Sequence, residues 1–121
     1  MRGIRGAITV EENTAEAIRE ATRKVVYEMI TQNHIATEDI GAAIFSATDD
    51  LTAAFPASGA RSLPGFDMVP LFDARQMDVE NAMKMCIRVL LLVDTETRQR
   101  DIRHIFLGNA AKLRPDIAEK Q

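Results

Sequence analysis

Apolar residues recur at two different periods along this chain, and the change of period marks its elements. Over residues 2–10, Ile4, Gly6, Ile8 and Val10 fall on one side of an alternating pattern, and Gly3, Arg5, Ala7 and Thr9 fall on the other, which predicts a strand. Over about 14–32 the spacing lengthens. Ile18, Ala21, Val25 and Met29 recur at helical intervals, while Glu12, Glu16, Arg19, Glu20, Arg23 and Lys24 are left to solvent, the pattern of a long amphipathic helix. Asn13 followed by Glu16 reads as a capping box at its start, and Asn33 with His34 marks its end. Thr37, Glu38 and Asp39 give a second start signal, leading into an apolar run that predicts a buried strand over 41–47.

Residues 48–65 hold Asp49, Asp50, Pro56, Gly59 and Pro64 and predict loops with short helical turns. Beyond them a short strand is expected over 68–72, a loop through 78–81, the clearest strand at Cys86–Val93, and another over 102–107. Gly108, Asn109 and Pro115 bound a last short turn before a polar tail. A strand, a helix and then further strands predict an α/β or α+β sheet with helices on one side. No internal repeat or linker interrupts the pattern, so one domain over 1–121 is expected.

Composition narrows the partners. With 46% hydrophobic and 27% charged residues the chain has an ordinary globular balance, and it should fold. It has no tryptophan and few aromatics, so Ile, Leu, Val, Met and Ala must build the core, and a partner chain is expected to help complete it. A net charge of −3 argues against a nucleic-acid binder, which needs surplus Lys and Arg. Cys86 is the only cysteine, which excludes an intramolecular disulfide and suits a reducing cytoplasm. The longest uncharged apolar run near it, 89–93, is far short of a membrane span. A cytoplasmic protein without membrane attachment is expected.

Arg88 is the first candidate for chemistry. Both alternating faces of Cys86–Val93 are apolar, as in a strand covered on both sides, so a guanidinium there needs an anion. That anion is either an internal carboxylate, Asp73 or Asp78, or a ligand oxygen. Arg5, flanked by Gly3, Gly6 and Ala7, leaves room for a carboxylate to approach its planar fork, although most strand arginines are surface ion-pair partners. Arg61 and Arg114 lie in or near loops and read as solvated. The order of residues does not show whether the four converge. No Gly-rich phosphate loop is present, His34 and His104 lack ligand-spaced partners, Ser46 and Ser58 lack a nucleophile-elbow setting, and Cys86 reads as a small core residue. Met77, Met83 and Met85 read as packing. No metal and no cofactor is expected.

Five blocks, in order and covering nearly the whole chain, carry a resemblance. They are Arg2 through Val10; Ser46-Ala47-Thr48 with Asp50-Leu51 and Phe55-Pro56-Ala57; Cys86-Ile87-Arg88-Val89; Arg103 through Leu107; and Leu113-Arg114-Pro115-Asp116. Together they resemble the monofunctional chorismate mutases of the AroH type. The resemblance implies an α+β subunit with a mixed β-sheet packed with helices, assembled as a homotrimeric pseudo-α/β-barrel with active sites between subunits. It implies the [3,3] Claisen rearrangement of chorismate to prephenate, in aromatic amino-acid biosynthesis, with neither a covalent intermediate nor a cofactor. By position, Arg88 matches the arginine that donates to the ether oxygen and Arg5 the arginine that holds a substrate carboxylate. Phe55 and Ala57 match pocket walls, Arg61 a mobile-loop arginine, and Leu113 and Arg114 a covering C-terminal segment.

Four positions depart from the family pattern. Gln76 stands where a glutamate usually contacts the substrate hydroxyl, and Asp73 where a cysteine or small polar residue is usual, which leaves two readings: the two exchange duties, with Asp73 accepting from the hydroxyl and the Gln76 amide adding a donor, or the acid at 73 repels a dianionic substrate. Phe106 replaces a tyrosine and Ser58 a lysine. Retained Arg5 and Arg88 favour the mutase reaction. The departures leave two alternatives: a homologue acting on a modified chorismate-like acid, and a non-catalytic metabolite-binding trimer.

Overall fold

A computed structural model of the chain describes residues 1–112. Five strands form one mixed sheet. In chain order they are β1 (Arg2–Thr9), β2 (Ile40–Ala47), β3 (Leu71–Arg75), β4 (Cys86–Val93) and β5 (Ile105–Leu107), and across the sheet they run β3-β2-β4-β1-β5. β4 is central and antiparallel to both β1 and β2, while β3 and β5 add as parallel edges. The long helix α1 (Ala15–Gln32) links β1 to β2, and a single helical turn, α2 (Ala57–Ala60), lies between β2 and β3. This is the α+β arrangement of sheet and helices expected from the sequence.

Helix α1 buries Ile18, Thr22, Val25, Val26 and Met29, a stripe at the helical period. They pack with Ile4, Ile8, Ala43, Phe45, Ile87, Val89 and Leu91 from one face of the sheet. Each large side chain removed from water in this way contributes about 1.5–3 kcal/mol. Thr22 is fully buried, and its hydroxyl donates to the Ile18 carbonyl at 3.0 Å, so the core contains no cost for it. Phe66 and Leu63, from the turns after α2, close the same core. Two glycines lie in close approaches, one against backbone and one against a flexible side chain. At Gly59 on α2 a Cβ would stand 2.3 Å from the Arg19 carbonyl oxygen of α1, and at Gly6 on β1 it would stand 2.3 Å from the Met29 sulfur.

Several boundaries differ from the sequence reading. The helix cap is Thr14, whose side chain accepts from the Ala17 N–H at 3.1 Å. Asn13 instead reaches across to the loop after β2: its carbonyl oxygen accepts from the Thr52 and Ala53 N–H groups, and its amide donates to the Thr52 hydroxyl. A capping box written in adjacent residues is therefore replaced by a tertiary bond. The strand expected over 68–72 begins only after Pro70, which has no N–H for a ladder, and Phe66–Met68 is a 3₁₀ turn. The strand expected over 102–107 is confined to Ile105–Leu107, because the preceding segment is held by Asn33, which accepts from the Arg103 N–H and donates to the Arg103 carbonyl.

The largest difference concerns β4. Arg88 is exposed, and among the described residues the face it shares is covered only at the start of the strand, where Cys86 packs with Ala7 and Ala110. Ile87, Val89, Leu91 and Val93 are buried under α1, whereas Leu90 and Leu92 are half-buried on the opposite face. An apolar pattern on both faces reports how many covers a strand has in its working state. Among the described residues the second cover is incomplete.

Candidate active site

The open face of the sheet is where two of the four candidate arginines, Arg5 and Arg88, meet. Arg5 lies opposite Leu90, and Ala7 lies opposite Arg88, so the two arginines are diagonal neighbours on one face, with side chains rooted about 7 Å apart. Phe106 on β5 lies opposite Ala7, and Ser46 on β2 lies opposite Arg88. Arg5, Ala7, Ile44, Ser46, Arg88 and Phe106 line a cavity of about 350 Å³. Neither arginine is paired with a carboxylate among the described residues, which removes Asp73 and Asp78 as internal partners of Arg88. Two cations on an apolar floor, with aromatic and hydroxyl walls, form a receptor for an acid.

The backbone under Arg5 is fixed from outside the strand. Its N–H donates to Nδ1 of His104 at 2.9 Å, so this ring carries its proton elsewhere than on Nδ1. Cys86, beside Arg88, is fully buried. Burial pushes its thiol up, with the Arg88 charge and hydrogen bond opposing and Asp50 adding to the rise, so it stays a protonated core residue. Among the described residues no group of three His, Cys, Asp or Glu is arranged to hold a metal ion.

The other predicted residues lie elsewhere in the subunit. Asp73 follows Phe45 in register on the helix side of the sheet, and its Oδ1 accepts from the Ala57 N–H at 2.9 Å. Burial raises its carboxyl above the ordinary value, and the Ala57 bond and the Arg61 charge pull it back. Phe55 is 73% exposed and shares with Asp73 a second cavity of about 630 Å³. Ala57 is buried, the Ser58 hydroxyl donates to the Phe55 carbonyl at 2.6 Å, and Arg61 is exposed. Gln76 borders a third cavity of about 370 Å³ with residues 77–84; its N–H donates to the Ala47 carbonyl, and its Oε1 is buried without a partner among the described residues. Leu113 and Arg114 lie outside the described residues. One subunit thus gathers Arg5, Arg88 and Phe106, and keeps Phe55 and Asp73 apart from them.

Three contributors were not singled out from the sequence as parts of a site. Ser46 and Ile44 face the arginines because β2 pairs with β4 in one particular register, and alternation within β2 alone does not reveal which strand it joins. Arg75, at the end of β3, makes a two-pronged ion pair with Asp49 at 2.8 and 3.0 Å. That pair holds the Asp49 carboxyl below its ordinary value. Both groups are charged residues in loop-like surroundings, and no linear signal marks them as partners.

Comparison with known proteins decides the lineage. Residues 1–117 match the family described as chorismate mutase type I. The chain belongs to this family. It is 48% identical to chorismate mutase AroH of Thermus thermophilus, over all of this chain and 99% of that protein. It is 43% identical to chorismate mutase AroH of Bacillus subtilis strain 168, over 98% of this chain and 93% of that protein. Among solved structures, a chorismate mutase from Clostridium thermocellum superposes with a TM-score of 0.89 at 39% identity, covering 93% of this chain and 99% of that one. Likeness of this length ties the whole described fold to the chorismate mutase type I family.

Proposed function

We propose that the protein rearranges chorismate to prephenate, with Arg88 and Arg5 as the groups that act on the substrate. The observation that carries this reading is the placement of two arginines, without carboxylate partners among the described residues, on one open apolar sheet face. Chorismate presents two carboxylates and an ether oxygen that gains negative charge as its bond breaks. A pericyclic reaction offers a protein two levers, holding the reactive conformer and stabilising that charge. Arg5 takes a carboxylate through its planar fork, and Arg88 donates to the ether oxygen. A preorganised donor of this type contributes about 3–4 kcal/mol to the transition state. Phe106 supplies an apolar wall in place of the hydroxyl of a tyrosine, and Ser46 offers a compensating hydroxyl on the strand opposite Arg88. We assign this chemistry to the cytoplasm, where a buried free thiol such as Cys86 is stable.

The site is completed, in this reading, by a second copy of the chain in a homotrimer. Three features support it. Leu90 and Leu92 are only half-buried on the arginine face. Phe55, Phe72 and Met68 are exposed at 73%, 65% and 84%. The segment holding Phe55, Ala57, Ser58 and Arg61 lies away from the arginine cavity of its own chain, as it must if it serves a neighbour. Gln76, bearing an unsatisfied buried oxygen, is positioned to accept from a donor brought by the substrate or by the partner. Asp73 and Gln76 line different cavities, so an exchange of duties between them requires that assembly.

The test follows chorismate loss by ultraviolet absorbance, with prephenate identified in the product, and the Arg88→Ala variant beside the wild type. Conversion is expected, and the variant is expected to lose about 10²–10³-fold in kcat. Folded wild-type protein that does no better than the spontaneous reaction would overturn the assignment.

A further inference from the structure

The turn after β2 grips both segments that deliver site residues from outside it. Asp50 accepts from the Met85 N–H on both carboxylate oxygens, at 3.1 and 3.0 Å, and also from the Thr48 hydroxyl. The Thr48 hydroxyl in turn accepts from the Cys86 N–H at 3.0 Å, while the Thr48 N–H donates to the Cys86 carbonyl at 3.1 Å. Met85 needs such restraint, because its φ of 53° lies in the left-handed region that non-glycine residues rarely adopt. On the other side its carbonyl accepts from the Val10 N–H at 2.7 Å, so the peptide entering β4 is held between the ends of β1 and β2. Arg88 follows only two residues after Cys86. The connection that ends at Met85 begins at Gln76, whose N–H donates to the Ala47 carbonyl at 3.2 Å, directly before the same turn.

We propose that Asp50, acting through Thr48 and the Met85 and Cys86 amides, is a positioning residue that sets the height of Arg88 at the start of β4. The proposal rests on the reading of Arg88 as the ether-oxygen donor. A carboxylate suits the task because it accepts three bonds at once and has no proton to misdirect. The Cys86 thiol lies in the field of both Asp50 and Arg88, which puts the brace close to the arginine it serves. Loss of the brace lets Met85 relax to an ordinary φ, and that swing moves the following residues relative to β1 and β2. Displacement of a catalytic group by about 1 Å costs up to about 100-fold in rate.

The experiment compares Asp50→Ala, Asp50→Asn and Thr48→Val in two arms. The first measures amide hydrogen exchange of Met85 and Cys86 by NMR. The second measures kcat and KM on chorismate, including Asp50→Ala combined with Arg88→Ala. Asp50→Ala is expected to deprotect both amides and to lower kcat roughly 10- to 100-fold, with KM changed by less than about threefold. Asp50→Asn retains an acceptor oxygen and is expected to stay within about fivefold of wild type. Thr48→Val should deprotect Cys86 more than Met85. In the Arg88→Ala background the loss of Asp50 should cost nothing further, since residues acting through one group are not additive.

A full additive loss in that background, or Asp50→Asn as damaged as Asp50→Ala, overturns the proposal. So does an Asp50→Ala protein with protected amides and undiminished kcat. If Asp50→Ala does not fold, Thr48→Val and Asp50→Asn decide by the same two readouts. The two readings fail separately: an inactive wild type removes the mutase assignment and the kinetic role with it, while exchange still reports whether Asp50 holds the strand.

Discussion

Replacing Gly59 by alanine tests whether the docking of α2 on α1 is as tight as the geometry requires. The added Cβ would meet the Arg19 carbonyl oxygen at 2.3 Å and the Thr22 Cβ at 2.9 Å. Ordinary contact of such atoms needs about 3.4 Å or more, so α2 has to retreat by roughly 1 Å. The obstacle is helix backbone, fixed by its own hydrogen bonds, and the neighbouring Thr22 is fully buried. Overpacking of this kind costs about 1–3 kcal/mol, and an immovable obstacle puts the change at about 3. Alanine returns about 0.5–1 kcal/mol through backbone entropy and helix propensity, leaving a net loss of roughly 2 kcal/mol. For a domain of this size that is a fall of about 6–10 °C in Tm. Thermal and urea unfolding at matched protein concentration measures it, since association would otherwise add stability. Because α2 carries Ala57 and precedes Arg61, KM should rise in the same variant. An unchanged or higher Tm would refute the close approach. Gly6→Ala provides the contrast: its Cβ meets Met29 at the sulfur, a flexible side chain that can change rotamer, so it should cost about 1 kcal/mol less.

Gln76→Glu should raise kcat/KM about fivefold, because a charged acceptor binds a hydroxyl about 1 kcal/mol more strongly than an amide; steady-state kinetics with no gain would remove Gln76 from the substrate hydroxyl. Arg5→Ala should raise KM roughly 30- to 100-fold and lower kcat less, as expected for lost carboxylate binding; a loss confined to kcat would contradict the assigned role. Asp73 gives a pH signature. Its folded carboxyl is raised above the ordinary 3.8, mainly by burial, so the folded state holds the proton more firmly than the unfolded state. The resulting stability is present below pH 3.8 and disappears as pH rises through the folded value. Asp73→Asn keeps an acceptor for the Ala57 N–H, so its Tm relative to wild type should improve as the pH is raised from below 3.8 through the folded value; a flat difference would show that the carboxylate is well solvated.

Most of the architecture is legible from periodicity because burial acts residue by residue. Ile4 and Ile8, Val25 and Met29, and Ile87, Val89, Leu91 and Val93 fall where their spacing requires. What local pattern misplaced were the ends. Asn13 was assigned to the cap, yet the loop after β2 captures it, and Pro70 and Asn33 delay β3 and β5 through a missing donor and a tertiary bond. Local rules price alternatives only within a few residues, while these contests are decided across 39 and 70 residues.

The sequence by itself determined the kinds of element, the core face of each, and, through five blocks in order, the family to which residues 1–117 belong. It also carried a message about β4 that the described residues satisfy only in part, an apolar pattern for two covers where only one is complete. The tertiary structure decided which residues face one another. The register of β1, β2 and β5 around β4 puts Arg5, Ser46 and Phe106 around Arg88, and the turn at Thr48–Asp50 holds the strand that carries it. Strand pairing is a relation between distant segments, and a slip of one residue would turn every one of these side chains to the opposite face.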